Sequence, residues 1–190
     1  MKKIAFIALV LFCGSIIYAQ DYQKKQITIL PASNLTIIGD SNIAKFQCKF
    51  DTSYLEGTQQ ISFTQTGHQI KFQGASLTLN NRGFDCGSKG INSDFHDLLQ
   101  TRKHPEIVLE LNEVALSSNN KGLATIYISI AGKKKHFQVP VSIKNGAIAQ
   151  FQGILSLNIK DYDLEPPKKL FGMIVVKDVI EIEFDLHVKK

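Results

Sequence analysis

The sequence contains no tryptophan, only five prolines and two methionines, and no strong excess of either charge. Its formal net charge of +5 falls to +3 without Lys2 and Lys3, which is too little to indicate a nucleic-acid-binding surface. The basic run Lys133–Lys135 is therefore interpreted as a polar hairpin turn. No glycine-rich phosphate loop, Gly-x-Ser-x-Gly motif or HExxH motif is present, and the neighbouring Asp161 and Asp163 lie at a predicted turn. The sequence thus predicts a protein that is not an enzyme.

The longest apolar run lies at the N-terminus, from Ile4 to Ile17, directly after two lysines. About fourteen residues are too few to span a bilayer, which takes roughly 20. A short basic start, a short apolar run and a small residue before a polar segment are typical of a secretory signal peptide. We predict cleavage after Ala19, a signal peptide over residues 1–19 and one domain over residues 20–190. The mature protein is expected in the periplasm or outside the cell, without stable membrane insertion.

Cysteine is scarce, and only Cys48 and Cys86 remain once Cys13 leaves with the predicted signal peptide. An even pair in an oxidising compartment favours a disulfide. It would close a loop of about 38 residues, to which the chain-entropy relation assigns about 4 kcal/mol of stability. Two buried free thiols are the alternative. No zinc site is predicted, because neither cysteine has a ligand at metal spacing and only carboxylates lie near His96 and His104.

The rest of the chain alternates apolar and polar residues with a period of two. Successive side chains of a strand point to opposite faces, so the alternation predicts antiparallel strands with one dry and one solvated face. The clearest runs are Ile126–Ile130, Phe137–Ile143, Leu155–Ile159 and Ile180–Val188. Further strands are predicted at Leu35–Ile38, Ile43–Phe50, Ile61–Thr66, Gln69–Phe72, Ser76–Leu79 and Ile107–Val114.

Three local signals refine this pattern. Asn145-Gly146 between two alternating runs predicts a hairpin. Pro140 lies within a strand but cannot donate to a ladder, so it must face an edge, a bulge or an interruption. The segment Ser93–Gln100 starts with a capping serine and places Phe95, Leu98 and Leu99 on one face, which predicts a short helix. Many antiparallel strands with one short helix suit a closed or nearly closed barrel.

The chain contains three distinctive stretches, at Leu35–Phe50, Phe84–Ile107 and Gly122–Lys135. Together, and in this order, they resemble the YceI-like family. Leu35–Phe50 is similar to the family's opening hairpin, and Phe84–Ile107 to its crossing segment with a short helix and a proline. Gly122–Lys135 is similar to a family strand and tight turn, followed by the long hairpin from Phe137 to Ile159. Lys160 and Leu164 stand where the family usually carries an arginine and a phenylalanine, which leaves the identity of a ligand open.

The resemblance implies an all-β, lipocalin-like antiparallel barrel of about eight strands. It also implies a binding protein that holds a long apolar lipid, such as a polyisoprenoid or a similar amphiphile, without a cofactor and without nucleic acid. A homodimer is a weaker expectation from the same source. The alternative is a non-enzymatic interaction or structural protein on the same barrel, with a filled core.

The candidate ligand-binding residues lie at the centres of the alternating strands. A barrel of about eight strands is either filled by its side chains or just wide enough for one small ligand, so these residues line a lumen or form a packed core. They are Ile70, Phe72, Leu109, Ile128, Phe137, Val139, Val141, Leu155, Leu157, Ile182 and Phe184.

Overall fold

The computed structural model describes residues 22–55, 57–166, 168–169 and 173–190. The predicted signal peptide and its cleavage site therefore lie outside the described residues. The described chain is mostly antiparallel strand with one α-helix, α1 (Lys89–Leu98), which confirms the predicted fold class. The strands are β1 (Gln23–Ile29), β2 (Asn34–Asp40), β3 (Lys45–Phe50), β4 (Thr58–Thr66), β5 (Gln69–Asn80), β6 (Phe84–Asp85), β7 (Glu106–Ser117), β8 (Lys121–Ile130), β9 (Lys133–Lys144), β10 (Ile148–Asn158), β11 (Lys168–Lys169), β12 (Ile174–Val175) and β13 (Val179–Lys189).

Eight strands close into a ring, in the order β1-β4-β5-β7-β8-β9-β10-β13. The ring closes where Ile29 of β1 pairs with Val188 of β13. Closure satisfies the backbone groups that an open sheet would leave at its edges. The ring agrees with the predicted barrel of about eight strands.

Strand β13 is the branch point of one eleven-stranded sheet. One edge pairs with β10 over its whole length, from Asn158↔Val179 to Ile148↔Lys189. The other edge pairs first with β2 and then with β1, so β2, β3 and β6 form an extension beside the ring. We call this part the side layer. The wall of the barrel that contains β13 is therefore extended by β2, β3 and β6.

The side layer is fastened by the disulfide between Cys48 of β3 and Cys86, which follows β6. The predicted pairing is confirmed, and the two cysteines are 0% and 5% exposed. Helix α1 packs Phe95 against Phe84 with ring centroids 5.2 Å apart. The helix begins at Lys89, earlier than predicted, because Ser88 and not Ser93 caps it by accepting from the Ile91 N–H.

The ladder between β9 and β10 is short. It runs only from Lys144↔Gln150 to Val141↔Gly153 and ends next to Pro140, which agrees with the predicted interruption. Beyond this point β9 continues to pair with β8, and β10 with β13. A single-turn 3-10 helix at Ile159–Tyr162 packs against β9 here, where the Tyr162 hydroxyl donates to the Ile128 carbonyl at 3.3 Å.

Candidate functional site

The inward face of the ring is apolar over most of its strands, although Lys135, which pairs with Ile128, and Gln65, which pairs with Ile70, share this face. Cross-strand pairs join Leu155 to Ile182 and Leu109 to Ile128, and Phe137 pairs with another inward residue, Ile126. Since pairs directly opposite each other in antiparallel strands share a face, the register places all eleven predicted lumen residues on this inward face. The two-residue alternation was therefore sufficient to assign the face.

Burial divides the predicted lumen residues into two groups. Six of them are buried within the core, and five retain accessible surface although they face inward. The buried group is Ile128, Val139, Val141, Leu155, Leu157 and Ile182. The partly exposed group is Ile70, Phe72, Leu109, Phe137 and Phe184.

The partly exposed inward residues include a contiguous patch, which we call the accessible band. It consists of Leu77, Leu109, Leu111, Ile126 and Phe137, on strands β5, β7, β8 and β9. The pairs Leu77↔Leu109, Leu111↔Ile126 and Ile126↔Phe137 make it continuous. Protein interiors are normally close-packed, so inward apolar side chains that keep accessible surface border space that their neighbours do not fill. The band can contact an apolar guest but offers it no polar side chain.

Three members of the accessible band were absent from the predicted set. Leu77, Leu111 and Ile126 belong to the same alternating strands as the predicted residues, and the alternation itself could have identified them. The alternation could not predict how exposed these side chains are, because their exposure depends on what packs against them from across the barrel.

The contrasting wall is a row of four buried residues across β10, β13, β2 and β3. Leu155, Ile182, Ile37 and Cys48 are paired in this order and are 7%, 8%, 6% and 0% exposed. We call this the packed row. Its side chains are enclosed by the core, so it leaves little surface for a guest.

The strands also form a cavity of about 850 Å³ on their outer face. Two outward rows line it, together with the inward residues that lie between these rows, which are Leu116, Gly122, Val141, Gly153 and Phe184. Of the predicted lumen residues only Val141 and Phe184, which lie between the two rows, border this outer groove. One row is mainly apolar (Ala115, Leu123, Pro140, Ile154 and Glu183), and the other is polar (Asn34, Ser117, Lys121, Ser142, Gln152 and Asp185).

A carboxylate network borders the outer groove. Gln150 Nε2 and Gln152 Nε2 donate to the Asp185 carboxylate at 2.8 and 2.9 Å, and His187 Nε2 lies 3.3 Å from it. Burial opposes the charged form of Asp185, but the two amide donors and the nearby His187 outweigh it, and the pKa of this carboxyl is lowered. The group is therefore ionised at neutral pH and joins the outer faces of β10 and β13.

The histidines and acidic residues that could act as metal ligands or catalytic groups contact other residues of the fold. His96 Nδ1 lies 3.5 Å from Thr101 Oγ1, and the ring of His104 packs against Gly132. Asp163 forms an ion pair with Lys133. Within the described ranges, no three His, Cys, Asp or Glu residues are grouped so that they could hold a metal ion. In the same ranges, no helix has the length and apolar character needed to span a bilayer.

Solved structures share this fold. BcnA of Burkholderia cenocepacia is 22% identical, with 83% of this chain and 96% of that chain covered and a TM-score of 0.56. A polyisoprenoid-binding domain from Saccharophagus degradans, implicated in plant cell wall breakdown, is 13% identical, with 86% and 97% covered and a TM-score of 0.61. A YceI protein of Campylobacter jejuni is 12% identical over the full length of both chains, with a TM-score of 0.50.

At these identities the structural likeness establishes the fold and nothing more. No curated protein matches the sequence. The YceI-like domain, as a sequence family, matches residues 23–188, which extend from the first strand of the ring to the last. The chain therefore belongs to the YceI-like domain family.

Proposed function

We propose that this protein is a non-enzymatic, extracytoplasmic lipid-binding protein that holds a long apolar chain, such as a polyisoprenoid or a similar amphiphile, inside its barrel. The observation that carries the proposal is the accessible band, a continuous apolar surface that faces into a closed ring of strands. The Saccharophagus degradans protein of the same fold is described as a polyisoprenoid-binding domain, which supports this class of ligand.

The chemistry of the band fits a hydrocarbon guest. Its leucine, isoleucine and phenylalanine side chains provide no hydrogen bonds, so affinity would come from removing the guest from water. Burial contributes about 0.8 kcal/mol per methylene group, and an isoprenoid or alkyl chain contains many such groups. Recognition would then depend on the length and width of the chain, and the polar head group would remain outside the band.

The compartment follows from two features. The predicted signal peptide over residues 1–19 directs the chain out of the cytoplasm. The buried Cys48–Cys86 disulfide is of a kind that forms and persists in oxidising compartments. We therefore place the mature protein in the periplasm or outside the cell. The proposal requires neither a cofactor nor nucleic acid. We also propose that the protein is a homodimer, which light scattering can test.

The first test is native mass spectrometry of the mature protein as it is purified from its compartment, followed by organic extraction of the bound material. The proposal predicts a stoichiometric adduct, which extraction releases as a long-chain lipid. A mass that matches the chain alone, and that stays unchanged after incubation with quinones and fatty acids, would leave the filled-barrel interaction protein as the better account.

A second test locates the bound chain. Because the sequence has no tryptophan, Phe137→Trp places a single fluorophore in the accessible band, and Leu123→Trp places one in the outer groove as a matched control. A lipid that enters the barrel should shift the emission of the Phe137→Trp variant and leave that of the Leu123→Trp variant unchanged. The reverse pattern would place the lipid in the outer groove and refute the proposed lumen.

A further inference from the structure

The ring has a gap in its wall between β4 and β5, which we call the wall opening. The two strands stop pairing after Ser62↔Gln73. Gly74 follows with a φ of 69°, and the register of β5 against β7 shifts here, as at a β-bulge. Within the described chain, β5 from Ala75 onward pairs with β7 alone, and residues 58–61 of β4 pair with β1 alone. The two strands therefore separate over the rest of their length.

A cavity of about 380 Å³ occupies the wall opening. Gln59 and Gln60 line it from β4, and Ser76 and Thr78 line it from β5. Gly74 leaves it wide, because a Cβ built at this position would have no atom within 4 Å. The volume falls within the roughly 300–1,000 Å³ that is usual for small-ligand sites. The wall opening can therefore hold a small polar group.

The cavity is lined from both faces of the sheet. Gln59 and Gln60 are consecutive strand residues, so their side chains point to opposite faces. Gln59 shares the inward face with Phe63, which pairs with Phe72 of the predicted lumen. Leu77 of the accessible band lies between the two β5 residues that line the cavity. The cavity therefore adjoins the surface that the apolar chain of a lipid would cover.

A second gap, between β9 and β10, is filled. The 3-10 helix Ile159–Tyr162 packs against β9 there, and both of its buried side chains are at most 3% exposed. The 3-10 helix at the wall opening, Thr52–Leu55, packs against β5. It buries Leu55 but leaves Tyr54 53% exposed. Of the two gaps, the one between β4 and β5 thus has room for a ligand group.

The polar side chains that line the wall opening carry no charge. Its two glutamine amides and the hydroxyls of Ser76 and Thr78 can each donate and accept hydrogen bonds. The lysines of the flanking stretches, Lys24, Lys25 and Lys71, do not line the cavity. Protein sites for phosphate are built from arginine, lysine or clustered backbone N–H groups. The lining therefore suits a hydroxyl or carbonyl group better than a phosphate.

We propose that the wall opening holds the headgroup of the bound lipid, and that this headgroup is uncharged and forms hydrogen bonds through a hydroxyl or carbonyl oxygen. The inference rests on the proposed lipid carrier and adds to it where the headgroup lies and which kind is accepted. The apolar chain would cover the accessible band, and the headgroup would contact Gln59 and Ser76 within the wall.

The experiment compares three probes with the same isoprenoid chain: a polyprenol, its monophosphate and the hydrocarbon without a headgroup. Binding is followed by the emission of the Phe137→Trp variant. We expect the polyprenol to bind more tightly than the monophosphate, because the phosphate would lie among uncharged side chains and lose part of its hydration. Tighter binding of the monophosphate would overturn the assigned headgroup. No emission change with any probe would refute the lipid carrier, and the headgroup site with it.

Variants in the Phe137→Trp background then test the site. Gln59→Ala combined with Ser76→Ala should weaken binding of the polyprenol about tenfold, because it removes two hydrogen-bonding partners. Binding of the hydrocarbon should not change, which also shows that the barrel of this variant is intact. Gln138→Ala combined with Ser156→Ala is the matched control, since it makes the same two changes on the strands that border the filled gap. This control should bind both probes as the parent does.

Three results would refute the headgroup site while the lipid carrier stands. The variant at the wall opening could bind the polyprenol as tightly as the parent does, or the control could lose as much affinity as that variant. An equal loss for the hydrocarbon would show that the substitutions act on the apolar chain and not on the headgroup.

Discussion

The two walls of this barrel use similar inward residues but pack them differently. The packed row, from Leu155 through Ile182 and Ile37 to Cys48, is no more than 8% exposed, whereas the accessible band across β5, β7, β8 and β9 retains surface at each of its five residues. Both walls follow the same two-residue alternation, so the difference does not come from the local sequence pattern. It comes from which further elements each wall contacts.

The packed row belongs to the wall that the side layer extends. The disulfide, helix α1 and a chain of aromatic rings reinforce that layer, with Phe50 and Phe84 4.9 Å apart between centroids. The strands of the accessible band have a polar outer face instead, where Lys134 pairs with Glu110 and lies over the Tyr127 ring. One wall is thus built for stability, and the other keeps inward surface that a guest can cover.

The largest expected effect is on the packed wall. Replacing both cysteines, Cys48→Ala with Cys86→Ala, should lower the free energy of unfolding by about 4 kcal/mol, because the unfolded chain regains the freedom of a 38-residue loop. Urea unfolding followed by circular dichroism measures the change. The wild-type protein, unfolded with its disulfide reduced, should show the same stability as the variant. A loss below about 1 kcal/mol would show that the disulfide does not make this wall more stable than the other.

A matched pair of leucines compares the two walls directly. Leu155→Ala removes a side chain of the packed row that is 7% exposed and should cost about 3 kcal/mol, since the surrounding core cannot collapse into the cavity. Leu109→Ala removes one from the accessible band and should cost about 1 kcal/mol, because part of that side chain is already accessible. Urea unfolding of the lipid-free variants gives both values. Equal costs would mean that the band is as well packed as the row, and the case for a lumen would fail.

Much of this architecture could be predicted from sequence, for a simple physical reason. A period of two determines which face a side chain occupies, so the inward residues could be predicted. The Asn145-Gly146 hairpin and the interruption at Pro140 could be predicted from turn preference and from the missing proline N–H. The same period carries no information on what lies across the barrel. The difference in burial between the partly exposed Leu109 and the buried Leu155 could therefore be learned only from the structure. The same holds for the pairing of β13 with both β1 and β2.

The outer groove and the start of α1 show two other limits. The groove spans several strands, from β7 through β10 to β13, and its shape depends on how the whole sheet bends. The helix start depended on which of two serines, Ser88 or Ser93, caps the chain. Both residues suit a cap by propensity, so the local sequence did not decide between them.

A smaller effect tests whether the outer face of β10 and β13 supports the packed row behind it. The pKa of Asp185 is lowered in the folded protein, so the unfolded chain takes up this proton at a higher pH than the folded one. The stabilisation by the carboxylate is then complete above the ordinary aspartate pKa of about 3.9 and is lost as the pH falls through the lower folded value. Asp185→Asn should therefore flatten the acid side of the stability curve, as measured by thermal unfolding between neutral pH and about pH 2.

Gln152→Leu sharpens this test, because it leaves the carboxyl in place and removes one of its donors. It should raise the pKa of Asp185 toward its ordinary value and weaken the acid dependence in the same direction as Asp185→Asn, by a smaller amount. If both variants kept the acid dependence of the wild type, the network would contribute nothing to the packed wall. The contrast between the two walls would then rest on the side layer and its disulfide alone.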